Sequence, residues 1–274
     1  AKGNMLQVIF FSIFFGFCLS LMGDSVRMVT DFFQKVGDVM IRMTNYVMLY
    51  APIGVFGLIA YTVTRHGLAV LLPLGKLILT AFIATLIFVC ITYLPIIKLI
   101  GMKISDYLKG AFEPWLIAFT TCSSAAALAV NLEASRKMGA SKAIASFAIP
   151  LGNTINMNGT SIYMGVTAVF AAEVFGIDLT LAQQFQIVLM GVLAAVGTAG
   201  VPGAGLIMTT LVFTEVGIPL EAVALIAGID RILDMIRTSV NVLGDSLTAL
   251  VVSKSEGVLG TELMDQDTVV KEQL

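Results

Sequence analysis

Apolar segments long enough to cross a membrane recur along this chain. The first, residues 5–22, holds no charged side chain and would be about 27 Å long as a helix, close to the thickness of a bilayer core. Two further segments follow at 40–64 and 71–100, and the intervening residues 23–38 are predicted to be a polar connection. Charged residues make up only 12% of the sequence, against about 25% in an average soluble domain. We therefore expect an all-α membrane protein, because a helix satisfies its own backbone in lipid.

In the second half of the chain, small and polar residues interrupt the apolar segments. The sequence TTCSS interrupts 111–132, and GTAGVPGAG interrupts 179–213. Each arm of these two segments is too short to span a bilayer, which indicates helical hairpins that enter and leave by one face. Each hairpin precedes a longer helix with polar residues, at 143–175 and 219–252. This twofold order predicts the inverted repeat of a secondary transporter.

The basic residues favour the same threading. With both hairpins re-entrant and the tail 253–274 in the cytoplasm, most basic residues lie on or near the cytoplasmic side, whereas the outer connections are acidic. The residues assigned to the inner side are Arg27, Lys35, Arg42, Lys98, Lys103, Lys109, Arg136, Lys137, Lys142 and Lys254. A full crossing of either broken segment would mix the two sides.

The last long helix carries a stripe of polar side chains on one face. They are Asp230, Asp234, Arg237, Thr238, Asn241 and Asp245. One interpretation is a set of internal ion pairs that holds a helix bundle together. The alternative is a lining for a charged ligand or ions, because charged groups at membrane depth are costly and stability alone rarely selects several on one face.

Three side chains of this stripe match the groups of an acidic amino acid. The planar guanidinium of Arg237 suits a carboxylate in bidentate geometry. Asp234 can accept hydrogen bonds from an ammonium, and the amide of Asn241 can bind a second carboxylate. The net charge of −2 does not suggest nucleic acid as a partner. No nucleophile–base pair or metal cluster in the sequence indicates an enzyme.

The sequence NTINMNGTSIY, residues 153–163, places amides and hydroxyls inside an apolar segment. An unwound stretch at 156–159 would free backbone carbonyls, and in a membrane such backbone persists only where it is buried in protein or lines a wet cavity. Carbonyl and amide oxygens suit small cations such as Na⁺, and Asp245 could complete the shell. The loop at 197–205 would let its backbone approach a ligand closely. The alternatives are a glycine kink whose amides bond neighbouring helices, and a loop that packs without contacting a ligand.

Together, these motifs resemble the glutamate transporter family of dicarboxylate/amino acid:cation symporters. The resemblance rests on APIGVF, SFAIPLGNTINMNGT, GTAGVPGAG and DMIRTSVNVLGD, and it covers essentially the whole chain. It implies a glutamate-transporter elevator fold, assembled as a homotrimer in the lipid bilayer of the plasma membrane. Residues 1–70 would be mostly scaffold helices, 71–252 the moving transport domain and 253–274 a cytoplasmic tail. The chain would begin near the family's fourth helix, as part of a longer protein.

The resemblance also implies roles for individual residues. Arg237, helped by Thr160, would bind the side-chain carboxylate of the substrate, and Asp234 would bind its ammonium. The substrate-binding set is Ser123, Ser124, Thr160, Val201, Gly205, Asp234, Arg237, Thr238 and Asn241. The sodium ligands would be Gly152, Asn156, Asn241 and Asp245 at one site and Thr154, Val196 and Thr198 at a second. The loop 197–205 would act as the extracellular gate.

Three positions depart from the family's pattern. Asn158, included among the candidate sodium ligands, stands where many members have an aspartate at a third sodium site, so three-sodium coupling stays open. Cys122 stands where archaeal members carry an arginine. Arg231 lies one turn before the last-helix arginine of eukaryotic members. We hypothesise that Arg231 takes over that role, pairs with acidic groups and modulates substrate release and coupling.

These residues predict a symporter of aspartate or glutamate driven by Na⁺, with H⁺ coupling left open. Within the resemblance, Asp234 favours an amino acid over a dicarboxylate, and Arg237 favours an acidic substrate over a neutral one. The alternatives are a transporter of the same fold for neutral amino acids or C4-dicarboxylates, an associated anion channel, and a membrane-embedded enzyme.

Overall fold

The computed structural model describes residues 5–261, apart from the side chains of some of them. Helices form nearly all of this part of the chain, and no strand occurs within it. The chain divides into two compact units, 1–57 and 58–274. The division falls before residue 70, where the sequence placed the end of the scaffold helices; the scaffold and transport roles stay predictions.

Two apolar helical stretches in the described residues, 10–40 and 68–99, are long and hydrophobic enough to cross a membrane. Length and composition alone are weak evidence, because core helices of soluble proteins and signal sequences have both properties too.

The first unit is built from helix α1 (Met5–Met22), a 3₁₀ turn and helix α2 (Arg27–Met48). Helix α2 occupies most of the segment predicted as a polar connection. Apolar and charged residues alternate there with helical spacing, so the segment forms an amphipathic helix rather than a loop. The apolar stripe is Val29, Phe33, Val36 and Met40, and the charged stripe is Asp31, Lys35, Asp38 and Arg42. Helix α3 (Ala51–His66) contains the division between the units.

The second unit continues with helix α4 (Leu71–Phe88), a π-helical turn over Val89–Tyr93, and helices α5 (Leu94–Leu99) and α6 (Ile104–Gly110). Pro95 lies at the start of α5 and has no N–H to donate, so the regular hydrogen-bond ladder cannot continue through it. The π turn delivers the side chain of Tyr93 into the interior, where it is buried.

Two pairs of consecutive helices pack against each other in this unit. Helix α7 (Phe112–Thr121) pairs with α8 (Ser124–Lys137), and α11 (Leu181–Val196) pairs with α12 (Ala204–Val216). We call residues 121–124 the first tip and residues 197–203 the second tip. Ser123 caps α8, because its hydroxyl accepts a hydrogen bond from the Ala126 amide.

Each helix pair is followed by a broken helix. Helices α9 (Lys142–Ile155) and α10 (Asn158–Val174) are separated at Asn156 and Met157. Helices α13 (Glu221–Ala227) and α14 (Asp230–Ser255) are separated at Gly228 and Ile229. The sequence predicted one continuous helix over 219–252, and this is wrong. Gly228 lies at this break; glycine is a weak helix former, and a Cβ there would fall 3.2 Å from Ile59 Cγ1, so the position has little room for a side chain.

Helix α14 is the central element of the second unit. It buries 17 of its 26 residues and packs against α7, α8, α9 and α10. The face that carries its polar stripe is therefore enclosed by the first helix pair and the first broken helix.

Candidate functional site

The polar stripe of α14 is buried and centred on Arg237. Asp230, Asp234 and Arg237 are between 2% and 6% exposed. The Arg237 guanidinium lies 3.0 Å from Asp234 Oδ2 and 3.3 Å from Asp230 Oδ1, and Nε donates to Asp234 Oδ1 at 3.1 Å. It also lies 4.4 Å from the centre of the Tyr163 ring. One cation thus faces two carboxylates and the face of an aromatic ring.

Each carboxylate has further hydrogen bonds that fix its position. Tyr163 Oη donates to Asp230 at 2.9 Å, and Thr238 Oγ1 donates to Asp234 at 2.7 Å. The amide of Gly203, in the second tip, donates to Asp234 Oδ2 at 2.9 Å. Gly203 has φ of 76°, a conformation that favours glycine, and this brings its amide to the carboxylate. The second tip is therefore tied directly to Asp234.

Asn241 joins α14 to the break between α9 and α10. Its Oδ1 accepts from the Gly159 amide at 2.7 Å, and its Nδ2 donates to Thr160 Oγ1 and to Met157 Sδ, both at 3.1 Å. Gly159 has no room for a side chain, since a Cβ would collide with the backbone of Arg237. The unwound backbone therefore lies directly against the helix that carries the charges.

The first and second tips contact each other next to the charged cluster around Arg237. Ser123 Oγ and the Ala125 amide both donate to the carbonyl of Gly200, at 2.9 and 3.2 Å. A Cβ on Gly205 would collide with the Arg237 guanidinium. Backbone from the two helix pairs, α7–α8 and α11–α12, thus covers the charged cluster.

A second polar cluster lies one turn further along α14, around Asp245. Asn156 Nδ2 donates to Asp245 Oδ1 at 2.9 Å, and Asn158 Nδ2 donates to Asn156 Oδ1 at 2.6 Å and to Tyr93 Oη at 3.1 Å. A Cβ on Gly152 would fall 2.6 Å from Asp245 Oδ1. One carboxylate and two carboxamides therefore lie together at a helix end, and their oxygens are hard ligands of the kind that suits a small cation.

Most residues predicted to bind substrate line one small cavity, of about 10 Å³. The lining residues are Ser124, Met157, Thr160, Thr198, Ala199, Gly200, Val201, Gly205, Asp234, Arg237, Thr238 and Asn241. Ser123 lies at the contact between the tips instead. Within the described residues, no group of three or more His, Cys, Asp and Glu side chains could hold a metal ion. A cation here would need amide, hydroxyl or backbone oxygens.

The residues of the second predicted sodium site, Thr154, Val196 and Thr198, do not all line one cavity. Thr154 Oγ1 donates to the Pro150 carbonyl in its own helix at 3.4 Å, and Thr198 Oγ1, in the second tip, donates to the Ala194 carbonyl of α11 at 2.8 Å. Thr154 and Val196 do not line the small cavity, whereas Thr198 does. Backbone carbonyls would have to supply ligands at that position.

The model of the sodium:dicarboxylate symporter family matches residues 1–255. The chain belongs to this family. It is 40% identical over 95% of its length to the proton/sodium-glutamate symport protein of Geobacillus stearothermophilus, and 40% identical over 93% to the C4-dicarboxylate transport protein of Bacillus subtilis (strain 168). It is also 40% identical over 93% to the proton/glutamate-aspartate symporter of Escherichia coli (strain K12). The chain covers 62%, 61% and 59% of these three relatives.

The family match confirms the resemblance to glutamate transporters. The sodium:dicarboxylate symporter family is one of transporters, not of enzymes, and its members are membrane proteins. The all-helical structure of the described residues fits that class.

Three residues of the two polar clusters were not among the predicted ligands. They are Asp230 and Tyr163, in the cluster around Arg237, and Tyr93, in the cluster around Asp245. Asp230 was placed on the stripe but given no role. Tyr163 follows Thr160 by three positions on α10, and this helical spacing was the signal that could have found it. Tyr93 lies 65 residues from Asn158, and nothing in the local pattern marks it.

In the described residues Arg231 forms no ion pair with an acidic group, and its effect on substrate release and coupling stays a prediction. Its Nη2 donates to the carbonyl of Thr120 at 3.0 Å, in the last turn of α7. The Cys122 thiol lies 3.8 Å from the Arg231 carbonyl. A cation at the carbonyl end of a helix is favourable, so Arg231 connects α14 to the first tip without an acid.

Proposed function

We propose that this chain provides the substrate-binding part of a secondary symporter that takes up aspartate or glutamate together with Na⁺. The observation that carries the proposal is the buried arrangement of Arg237, Asp234 and Asn241 beneath the two tips. Fixed groups of opposite charge, enclosed by backbone, match a zwitterion that carries one additional carboxylate.

Substrate binding would exchange ion pairs inside the site. Asp234 now accepts from Arg237, Thr238 and Gly203. A substrate carboxylate can replace Asp234 as the partner of Arg237, while the substrate ammonium donates a hydrogen bond to Asp234. Asp230 and Tyr163 would keep the guanidinium oriented throughout this exchange. No buried charge would be left without a partner at either stage.

The size of the cavity requires the second tip to move. A cavity of about 10 Å³ has room for about one water molecule, whereas small-molecule pockets usually hold about 300–1,000 Å³. The bond between Gly203 and Asp234 and the contact between Gly200 and the first tip are the contacts that admission of substrate would break. We assign the role of gate to this tip, and Asp245 with Asn156 and Gly152 to a sodium site.

The family resemblance supports the rest of the proposal. We propose a homotrimer in the plasma membrane, two re-entrant hairpins formed by α7–α8 and α11–α12, and elevator movement of the transport domain. A C4-dicarboxylate is the second candidate substrate, because a C4-dicarboxylate transport protein is as similar to this chain as the glutamate symport protein is. Asp234 favours the amino acid, since a dicarboxylate brings no ammonium to balance this buried carboxylate.

The test is uptake of radiolabelled aspartate by the purified full-length protein in liposomes, with Na⁺ and H⁺ gradients imposed separately. We expect uptake that needs the Na⁺ gradient and is inhibited by glutamate but not by succinate or alanine. Inhibition by succinate with no effect of glutamate would assign the dicarboxylate instead. Absence of gradient-driven uptake would reject the proposal.

A further inference from the structure

Helix α2 divides its charged and apolar residues between two opposite faces. At the helical spacing of about 100° per residue, all of its charged side chains fall within an arc of roughly 80°. The opposite arc, roughly 140° wide, holds only hydrophobic residues. The charged residues are Arg27, Asp31, Lys35, Asp38 and Arg42, and the hydrophobic arc includes Val29, Phe32, Val36, Val39, Met43 and Val47.

The apolar face of α2 is exposed along the helix. Val29 is 38% exposed, and Phe32 and Val39 are 61% and 58% exposed. A large contiguous apolar surface of this kind is rare on a protein surrounded by water, and it marks contact with lipid or with another protein. The face therefore indicates a contact with something other than water.

Helix α1 favours lipid as that contact. It holds no charged residue, and Phe14 on it is exposed as well. The two helices meet at a turn that starts with Gly23, whose φ of 56° lets the chain change direction. Next to this turn, the rings of Phe15 and Phe33 pack edge to face, with centres 5.3 Å apart. The apolar face of α2 thus continues the apolar surface of α1 beyond the bend.

The charged face of α2 determines how the helix meets the lipid. Charged side chains recur at every turn of residues 27–42, and burying all of them inside a bilayer would be costly. A wide apolar face opposite a charged face is typical of a helix that lies in the membrane surface, partly in lipid and partly in water. Packing against one other helix uses a narrower apolar seam. These features favour a lipid surface over a second copy of the chain.

The charges of α2 also favour one side of the membrane. Arg27, Lys35 and Arg42 outnumber Asp31 and Asp38, so the helix carries a small positive excess. The cytoplasmic leaflet is rich in anionic lipids, which attract basic residues at the membrane surface. The predicted threading places the same three basic residues on the cytoplasmic side.

We propose that α2 lies along the cytoplasmic surface of the membrane, with its apolar face among the upper acyl chains of the lipid and its charges in water. The partner of this face is the lipid surface itself. Of the apolar stretch 10–40, only α1 then crosses the bilayer. The inference goes beyond the proposed function, because it requires a membrane protein but neither a particular substrate nor a particular coupling ion.

The experiment uses single cysteines labelled with a nitroxide in the full-length protein in liposomes, with the native cysteines replaced by alanine. Oxygen, which concentrates in lipid, and a water-soluble nickel chelate are compared as relaxing agents for each label. Val29→Cys and Val36→Cys report on the apolar face, and Asp31→Cys and Asp38→Cys, two residues along from each, are the matched controls. Labels at the two valine positions should prefer oxygen and lie about 5–10 Å below the lipid headgroups. Labels at the two aspartate positions should prefer the nickel chelate.

Three results would overturn the proposal. A preference for the nickel chelate at all four positions would place α2 in water. A preference for oxygen at all four would place the helix across the bilayer. Exclusion of both agents from Val29 and Val36 would show that protein, such as a second copy of the chain, covers the face.

Photolabelling of the unaltered protein keeps the proposal testable if a cysteine variant does not fold. The probe is a phospholipid that carries an aryl diazirine near the top of one acyl chain. Within residues 27–48, we expect adducts at Phe32, Val36 and Met43 and none on the charged face. An apolar face without adducts, or equal labelling of both faces, would contradict a helix in the membrane surface.

Discussion

At the residue scale, the site depends on one buried arginine that pairs with two carboxylates. Arg237 bridges Asp230 and Asp234, and Tyr163 covers the guanidinium. Both interpretations of the stripe thus have a structural basis: the ion pairs are internal to α14, and Tyr163 and Gly203 join its two carboxylates to other elements. What favours a ligand site is the position of these charges beneath the two tips, next to Asn241 and Thr160.

We predict that Arg237→Cys lowers the affinity for aspartate by about 100-fold, since truncating one partner of a buried, hydrogen-bonded charge pair costs binding roughly 2–5 kcal/mol. Binding of radiolabelled aspartate to the purified protein measures this. The double variant Arg237→Cys/Asp230→Asn removes one cation and one carboxylate, so it keeps the net charge of the cluster and should recover part of the folding stability but not aspartate binding. Arg42→Cys, at an exposed position in α2, is the control. Retained acidic substrate binding in Arg237→Cys would show that the pocket is assigned wrongly.

Gly205→Ala should displace the guanidinium without changing any charge. The added methyl would collide with Arg237, which is held by two carboxylates and so cannot turn aside freely. We expect aspartate affinity to fall about tenfold and the melting temperature to fall by a few degrees, because overpacking costs roughly 1–3 kcal/mol of stability. Gly165→Ala is the matched control, since nothing lies within 4 Å of its added Cβ. Equal effects of both variants would contradict the close packing of Gly205 on Arg237.

At the element scale, the breaks and tips bring distant segments to α14. The sequence predicted the broken helix at 143–175 and the two interrupted segments, because glycine, serine and asparagine mark such places directly. It did not predict the break at Gly228, since the contact with Ile59 that accompanies it is formed only in the folded chain. Helix α2 was missed for a different reason. Residues 23–38 were interpreted as a connection because many of them are polar, although their apolar and charged residues recur with helical spacing.

Asn158 tests the chemistry of the break between α9 and α10. Its Nδ2 donates to both Asn156 and Tyr93, and a carboxylate cannot make these bonds. In Asn158→Asp we expect a new requirement for a cation, which raises the Na⁺ dependence of aspartate binding by about one ion. Asn158→Ala removes the donor without adding charge and should not raise it. The same Na⁺ dependence in both variants would contradict this role.

Arg231 tests the connection between α14 and the first tip. Its guanidinium donates to the last turn of α7, so its removal should loosen residues 121–124. We expect Arg231→Ala to speed aspartate release about threefold, in line with roughly 0.3–1 kcal/mol for a cation at a helix end. Arg231→Lys should keep part of the effect. Stopped-flow measurement of the release rate tests this. Unaltered binding and transport kinetics in Arg231→Ala would show that Arg231 does not influence substrate release.

At the scale of the whole molecule, composition and motif order were sufficient to predict an all-helical membrane transporter of this family. The polar stripe of α14 was also predictable, because a helix places its residues at fixed angles. The partners of that stripe were not, since Tyr93, Tyr163 and Gly203 reach it from three other elements. Long-range pairing of this kind leaves no periodic signal in one sequence.

The central claim is that substrate and sodium bind to the same enclosed region of α14 and stabilise each other there. Aspartate affinity of the full-length protein, measured over a series of sodium concentrations at constant ionic strength, tests it most directly. We expect the affinity to rise steeply, with a logarithmic slope of about two, one ion for each proposed site. An aspartate affinity that does not change with sodium would contradict the account.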